Sequence, residues 1–291
     1  MKNTILIKNV NLISLAKNAP KIQNNIDILI ENEKIAKISK NIKGKFNKII
    51  DGTNRYVIPG FINSHSHVAM GLFRNTVTGL TLQKWLNELI WPIEARFSGN
   101  DVAKLTRFGI GEMIENGITS TNDMYFFPNE MVNEAKKIGF NMYWGWGLLN
   151  IDGDDKGNKR FNEYVKFLGT KDGLQQITFT IHGLYTSTTE YLKKVLEYPI
   201  KKKLVVHMHF CENLEEAETI KKMHKVKYPS DVLLKYFSKV KLVLAHTVHL
   251  TDYDIKALAK LNASCVHCPI SNMRLGCGVS PITKMVKAGI N

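Results

Sequence analysis

Two histidines in the stretch PGFINSHSHVAM, His65 and His67, stand at the end of an apolar, strand-like run. Side chains two residues apart on a β-strand point to the same face, so the two imidazoles could bind the same ion or ligand. Neutral imidazole is a common ligand of zinc and related ions. An isolated His-x-His pair also caps strands or binds nearby carbonyls, and the motif alone does not decide between these interpretations.

Further histidines follow other apolar runs, each near the predicted end of a strand. They are His182, His207, His209, His246 and His267. In a β/α barrel the carboxyl ends of the strands meet at one face, where the chemistry takes place. Histidines at the ends of five of the seven predicted strands therefore favour a metal site. Glu212, three residues after His209, could move protons beside the metal without binding it.

From about residue 57 onward, apolar β-branched runs alternate with helical segments, a rhythm typical of a parallel sheet built from β-α units. The seven predicted strands are YVIPGFINSH, GITSTND, NMYWGWG, QITFTIHG, LVVHMHF, KLVLAH and ASCVHCP. No glycine-rich dinucleotide loop follows the first strand, so we expect an α/β fold of the (β/α)8 TIM barrel type with one strand missing. Short β-type runs before residue 57 predict a small antiparallel sheet domain.

The composition, with 44% hydrophobic and 23% charged residues, is that of an ordinary soluble globular protein. The net charge of +14 is scattered, and no basic stretch is interleaved with aromatic residues, so we expect neither a nucleic-acid nor a membrane partner. Lys8 and Asn9 interrupt the apolar N-terminal run, which predicts no signal peptide or transmembrane helix and indicates a cytoplasmic protein. The sequence leaves open whether the protein forms a homo-oligomer.

The four cysteines are too few and too clustered for a disulfide scaffold. Cys265 and Cys268 form a C-x-x-C pair, which could be redox-active or bind zinc. A second cysteine pair is absent from the sequence, and the stretch has the pattern of a buried strand. We therefore expect these two residues to be core thiols.

Four stretches occur in order at the predicted strand ends: VIPGFINSHSHVAM, VHMHFCEN, LAHTVHL and HCPISNMRLGCGVSPITKMVKAGIN. Together they resemble the amidohydrolase superfamily, and most closely its 5'-methylthioadenosine and S-adenosylhomocysteine deaminases. The resemblance covers almost the whole chain. It implies an N-terminal β-sandwich segment at residues 1–57, a metal-dependent barrel at residues 58–291, and hydrolytic deamination of an adenine nucleoside to the inosine analogue and ammonia.

The resemblance also implies roles for individual residues. It assigns one zinc or similar divalent ion to the ligands His65, His67 and His209. Glu212 matches the proton shuttle, which would protonate adenine N1 and pass a proton to the departing ammonia, and His246 matches the residue that orients the attacking water. His182 stands where members with two metals carry a carbamylated lysine, so the resemblance implies a mononuclear site and a contact from His182 to the substrate ring. His207 is interpreted as a structural barrel residue.

Four further residues are candidates for binding the substrate. Trp85 matches a position that packs on the substrate, and Glu94 matches a carboxylate that accepts hydrogen bonds from the ribose hydroxyls. Where homocysteine-binding members carry an arginine at the end of strand three, this chain has Trp146. Arg160 is close enough in sequence to replace that arginine, although the departure favours substrates with neutral 5'-substituents such as 5'-methylthioadenosine or adenosine.

Two alternatives remain open at this stage. A related amidohydrolase could act on guanine or another aminated or chlorinated heterocycle, and Glu94 would then have no ribose to hold. The second alternative is an inactive, truncated remnant, because in the family the segment after VKAGIN runs into an eighth strand that supplies an aspartate as metal ligand and general base. On that basis we expect the 291-residue chain to have little or no deaminase activity. The nearest aspartates, Asp252 and Asp254, are predicted to cap a helix.

Overall fold

The computed structural model describes residues 3–18, 20–74, 76, 79–168 and 175–291. The chain divides into two compact units, Met1–Phe61 and Ile62–Asn291. The assignment of domains to residues 1–57 and 58–291 stays a prediction. Among the described residues, none of the helices combines the length and the apolar character needed to span a bilayer.

The first unit contains a mixed sheet built around its first strand. Its strands are β1 (Thr4–Ile13), β2 (Ile22–Glu31), β3 (Lys34–Ser39), β4 (Lys48–Asp51) and β5 (Tyr56–Val57). β2 pairs with β1 antiparallel, whereas β4 and β5 pair with β1 parallel, so the prediction of a purely antiparallel sheet is wrong. The reason is that the chain after β3 crosses to the far side of β1 instead of closing a hairpin. Buried Asp27 holds this crossing, because its carboxylate accepts the backbone N–H groups of Asn9 and Ile42, each at 2.9 Å.

Two four-stranded sheets, with the orders β6-β7-β8-β9 and β10-β11-β12-β13, form the centre of the second unit. Their strands are β6 (Phe61–Ser66), β7 (Ile118–Met124), β8 (Asn141–Gly145), β9 (Gln175–Ile177), β10 (Phe179–Gly183), β11 (Val205–Phe210), β12 (Lys241–His246) and β13 (Ser264–Val266). The pairings from β7 to β9 and from β10 to β13 are parallel, which confirms the predicted α/β class. The predicted fourth strand is split at Thr178 into β9 and β10. An isolated parallel bridge between Leu148 and Ile181 joins the segment after β8 to β10.

Helices alternate with these strands. They are α1 (Leu82–Lys84), α2 (Trp91–Glu94), α3 (Gly99–Glu115), α4 (Pro128–Ile138), α5 (Asp154–Phe167), α6 (Thr189–Lys202), α7 (Leu214–His224), α8 (Pro229–Tyr236), α9 (Asp252–Lys260), α10 (Pro269–Arg274) and α11 (Ile282–Lys287). A π-helix at Trp85–Ile90 joins α1 to α2. Asp254 completes a capping box with Thr251 at the start of α9, as predicted, and Asp252 pairs with Lys284 at 2.8 Å.

The core of the second unit packs large side chains of the helices against the strands. Tyr164 of α5 and Phe179 of β10 are fully buried and lie in ring contact with centroids 5.8 Å apart. Phe210 of β11 and Phe237, at the end of α8, are fully buried as well. Because interiors of this kind are close-packed, the strand ends that carry the histidines are held in fixed positions.

Candidate active site

Four histidines from β6, β11 and β12 meet at the carboxyl ends of the strands. The ring centroid of His65 lies 4.9 Å from that of His67, 4.8 Å from that of His209 and 5.2 Å from that of His246. One ring nitrogen from each of His65, His209 and His246 lies within 4.8 Å of the other two. The structure therefore brings these four side chains together, and nitrogens of three of them, His65, His209 and His246, are close enough to share one ion.

Backbone carbonyls determine which nitrogen of His67 and His209 carries hydrogen. His67 Nδ1 donates to the Met124 carbonyl at 2.6 Å, and His209 Nδ1 donates to the His182 carbonyl at 2.7 Å. Burial lowers the pKa of both histidines, so each ring is neutral and its Nε2 carries a lone pair. The two Nε2 atoms face each other at 3.1 Å. Facing lone pairs repel, and a cation bound by both removes the repulsion, so this donor set fits a divalent metal.

Asp123, at the end of β7, binds the residues on both sides of His67. Its Oδ1 accepts the Ser66 hydroxyl at 2.9 Å and the Val68 N–H at 2.6 Å. Burial raises the pKa of Asp123 to about 7. Asp123 is not among the residues predicted from the sequence, although an aspartate at the end of a strand, in NDMY, is a signal for such a residue.

Glu212 lies just beyond β11, after a turn in which Cys211 has a left-handed backbone with φ of 53°. The Glu216 carboxylate stabilises this turn by accepting the N–H groups of Cys211 and Glu212 at 2.9 and 2.7 Å. Glu212 Oε1 is 3.2 Å from His246 Nδ1 and 3.8 Å from Cys277 Sγ. Burial, followed by the nearby Glu216 carboxylate, raises the pKa of Glu212 to about 8. Glu212 is therefore mainly protonated at neutral pH and can act as an acid.

His246 occupies the end of β12 and also has a left-handed backbone, with φ of 73°. Its Nδ1 donates to Oδ1 of the fully buried Asn272 at 2.8 Å. Burial lowers the pKa of His246 to about 4, so the ring is neutral and its Nε2 is an acceptor. Asn272 is a second residue that the sequence analysis missed, because its contact with His246 depends on how α10 packs against β12.

A cavity of about 270 Å³ opens beside the histidine cluster. The predicted residues that line it are His65, His67, Trp85, Glu94, His182, His209, Glu212 and His246. Trp85 begins the π-helix, and π-helical turns are common at functional sites. Tyr125 donates its hydroxyl hydrogen to Glu94 Oε1 at 2.6 Å, and burial raises the pKa of Glu94 to about 7. The cavity thus brings three predicted substrate residues, Trp85, Glu94 and His182, to the same space as Glu212 and the other histidines.

His182 lies at the end of β10 with its ring in the same cavity. Its Nδ1 donates to Thr186 Oγ1 at 3.0 Å, since the Thr186 hydroxyl itself donates to the Gly183 carbonyl at 3.1 Å. Burial lowers the pKa of His182 to about 4. The neutral ring therefore offers Nε2 as a hydrogen-bond acceptor.

Trp146 and Arg160 lie in a different place, along a second cavity of about 840 Å³ that shares Trp91 and Glu94 with the first. The Arg160 guanidinium already binds both carboxylate oxygens of Asp152, and it donates to the Leu149 carbonyl at 3.0 Å. The structure therefore brings these two residues next to the site rather than into the first cavity.

His267 does not join the cluster, so the expectation for the histidine of strand seven is wrong. This side chain is exposed and is absent from the lining of the first cavity. The reason is that β13 ends at Val266 and the chain turns into α10 within three residues. The four cysteines are free thiols, and burial raises the pKa of Cys265 and Cys268 to about 11.

Parallel strands whose ends gather histidines and a buried glutamate define the class of barrel-type metal-dependent hydrolases. The model of the Amidohydrolase family matches residues 56–291, and the chain belongs to that family. The family assignment confirms the resemblance on which the residue roles rest.

Two curated relatives and one solved structure give finer comparisons. The 5-methylthioadenosine/S-adenosylhomocysteine deaminase of Carboxydothermus hydrogenoformans is 37% identical over 294 residues, which cover 99% of this chain and 67% of the relative. The 5'-deoxyadenosine deaminase of Methanococcus aeolicus is 36% identical over 276 residues, covering 90% of this chain and 64% of the relative. The chain thus spans about two thirds of the length of these relatives.

The solved structure is an adenosine deaminase from Xanthomonas campestris with bound zinc. It matches with a TM-score of 0.86 and 25% identity, covering 98% of this chain and 67% of the other. The match confirms the predicted TIM barrel type of fold.

Proposed function

We propose that this chain carries the active site of a hydrolytic deaminase that converts a 5'-substituted adenine nucleoside to its inosine analogue and ammonia. The observation that supports it most is the position of Glu212, a buried and protonated carboxylic acid beside the histidine cluster and in the same cavity as Glu94. The names of the curated relatives, which are 5-methylthioadenosine/S-adenosylhomocysteine and 5'-deoxyadenosine deaminases, support the substrate class.

Three histidines are proposed as the ligands of one zinc or similar ion: His65, His67 and His209. When bound, such an ion would lower the pKa of a water molecule and so supply the nucleophile. His246 is proposed to orient that water, since its neutral ring lines the same cavity as Glu212 and leaves Nε2 as an acceptor.

The protons of the reaction can all pass through Glu212. The acid first donates its proton to ring N1 of the nucleoside while the water oxygen forms a bond to C6. The resulting carboxylate takes the first proton of the water and transfers it to the C6 amino group. The C6–N bond then breaks, ammonia leaves, and the second water proton returns to Glu212 as the C6 carbonyl forms.

A substrate panel tests the proposal. Ammonia release is measured with zinc present for adenosine, 5'-methylthioadenosine, 5'-deoxyadenosine, S-adenosylhomocysteine and guanine. Binding of the same compounds to the Glu212→Gln variant is measured by calorimetry, which reports recognition independently of turnover. We expect adenine nucleosides to be bound in preference to guanine, with ammonia release in the same order, whereas binding without ammonia release would support the inactive alternative. Binding of guanine with no binding of any nucleoside would rule out the proposed substrate class.

Replacing Glu94 with glutamine should raise KM for adenosine by about 10- to 100-fold, with a much smaller change in kcat. At a pH well above its pKa of about 7, Glu94 is a charged acceptor for the ribose hydroxyls, whereas glutamine is a neutral one, and hydrogen bonds to charged groups contribute roughly 1.5–3 kcal/mol. Steady-state kinetics with adenosine measure the effect. Glu88→Gln, an exposed glutamate in the π-helix, is the matched control and should leave KM unchanged. A fall in kcat with no change in KM would contradict a ribose-binding role.

Neutral 5'-substituents should be preferred to the zwitterionic homocysteine group. Arg160 is already paired with Asp152, and the neighbouring Trp146 offers no cation for a carboxylate. An anion without its paired donor loses about 1–3 kcal/mol, so kcat/KM should favour 5'-methylthioadenosine over S-adenosylhomocysteine by roughly 5- to 100-fold. Kinetics with the two substrates measure this ratio.

The Asp152→Asn variant sharpens the same test. Removing the carboxylate frees the Arg160 guanidinium, so the preference should move toward S-adenosylhomocysteine. Asp155→Asn, at an exposed position in the first turn of α5, is the matched control and should keep the parent ratio. A parent enzyme that prefers S-adenosylhomocysteine would show that Arg160 binds the carboxylate despite its pairing.

A further inference from the structure

His207 is a buried histidine that the proposed reaction does not use. It lies on β11, two residues before His209, and its side chain is fully buried. Its Nε2 is 2.9 Å from Nδ1 of His65, and the two ring centroids are 5.0 Å apart at an interplanar angle of 76°. Its Nδ1 is also buried and has no hydrogen-bond partner among the described residues. One ring nitrogen of His207 therefore contacts His65, a proposed metal ligand, and the other has no hydrogen-bond partner among the described residues.

One hydrogen lies between His65 Nδ1 and His207 Nε2, and its position determines what His65 can do. If His65 Nδ1 carries it, His207 Nε2 is the acceptor and the other nitrogen of the neutral His65 ring has a lone pair for a metal. If His207 Nε2 carries it, the hydrogen of His65 is on its own Nε2, which then cannot bind a metal. The tautomer of His207 and the ligand capacity of His65 are therefore linked.

We propose that His207 is a positioning residue that, in the metal-bound protein, accepts the Nδ1 hydrogen of His65, so that His65 Nε2 is free to bind the metal. This inference rests on the proposed function, in which His65 is a metal ligand. A second imidazole as the acceptor differs from the arrangement at His67 and His209, where backbone carbonyls accept. A carbonyl can only accept, whereas His207 can either accept or donate.

That difference couples metal binding to the tautomer of His207. A buried N–H without a partner is less favourable than a buried lone pair without one. Without metal, the favoured arrangement therefore places hydrogen on His207 Nε2 and leaves its Nδ1 as the unpaired acceptor. Metal binding changes the tautomer of both rings, so that His65 and His207 each carry their hydrogen on Nδ1. Each ring keeps one hydrogen, so the number of protons does not change.

Nitrogen NMR of the histidine rings tests the coupling directly. Long-range ¹H–¹⁵N spectra of the labelled protein distinguish Nδ1–H from Nε2–H rings, and His207→Gln identifies the signals of His207 by their loss. We expect His207 to be Nε2–H in the metal-free protein and Nδ1–H after one equivalent of zinc. A His207 ring that keeps its hydrogen on Nε2 in the zinc-loaded protein would overturn the proposal.

Zinc affinity provides a second test, measured by competition with a chelator. His207→Leu removes the acceptor and should weaken zinc binding by about 10- to 100-fold, the usual effect of losing a partner of a metal ligand. His207→Gln offers an amide oxygen to His65 Nδ1 and should keep the affinity within about threefold of the parent. Equal affinities in the leucine variant and the parent would overturn the proposal, and if that variant does not fold the NMR result decides.

One further variant separates this inference from the proposed function. His65→Ala should lose zinc affinity. If His65→Ala binds zinc as the parent does, His65 is not a ligand, and both the metal assignment and the role of His207 are overturned. If His65→Ala loses affinity while His207→Leu keeps it, only the present inference is overturned.

Discussion

Replacing Glu212 with glutamine is expected to lower kcat by about 10²- to 10⁴-fold, the range for loss of a general acid–base group. Glutamine has the shape of glutamic acid but no proton to give to ring N1. The binding of zinc and nucleoside should stay close to that of the parent, because Glu212 is neither a proposed ligand nor a ribose contact. Steady-state kinetics together with calorimetry on the same protein measure the two effects separately.

The exposed neighbour Glu215 provides the matched control. Glu215→Gln removes one carboxylate from the same helix start and should leave kcat unchanged. Glu216→Gln is a different experiment, since that side chain holds the turn before Glu212 through two backbone N–H groups. A Glu212→Gln variant with kcat within a few fold of the parent would show that Glu212 does not carry the protons.

The pH profile follows from the raised pKa of Glu212, which is about 8 in the metal-free protein and lower when a divalent cation is bound nearby. The reaction begins with the protonated acid, so the rate should be constant below that pKa and fall as the pH rises through it. A rate that falls with rising pH is expected for a group that must be protonated, because deprotonation removes the active form. The falling limb should be absent from the residual activity of Glu212→Gln. A rate that increases through this pH range in the parent enzyme would indicate that the carboxylate is the starting form.

Strand-end histidines were predictable because the two-residue period of a strand and the parallel order of a barrel are local and topological rules. Knowing that His65 and His209 end two strands was enough to expect them near each other. The same rules could not show that His267 is exposed and lies outside the first cavity, because that depends on β13 ending after three residues. They also could not show which nitrogen of each ring carries hydrogen, since this depends on carbonyls and side chains from neighbouring strands.

Residues that support the site were harder to predict than residues that line it. Asp123, Asn272 and Glu216 act through contacts with Val68, His246 and the Glu212 turn, and only the packed structure brings these groups together. The pairing of Arg160 with Asp152 is another example. The sequence alone suggests that Arg160 is a free cation near Trp146. In the structure its guanidinium is paired with the carboxylate of Asp152, eight residues earlier.

Two assignments of the third ligand can be compared. The resemblance makes His67 a ligand and gives His246 the water-orienting role. Nitrogens of His65, His209 and His246 form a group within 4.8 Å, whereas His67 Nε2 lies 3.1 Å from His209 Nε2 with a lone pair on each atom. The second observation favours His67, because an ion bound by both atoms relieves the repulsion between the two lone pairs.

We therefore expect His67→Ala to weaken zinc binding by more than about 100-fold, since loss of a direct ligand should exceed the effect of losing an outer partner. His246→Ala should keep zinc affinity within about tenfold of the parent while kcat falls by roughly 10²-fold. Chelator competition measures the affinities, and His267→Ala, a strand-end histidine outside the cluster, should change neither quantity. The reverse pattern, with affinity lost in His246→Ala and kept in His67→Ala, would exchange the roles of the two residues.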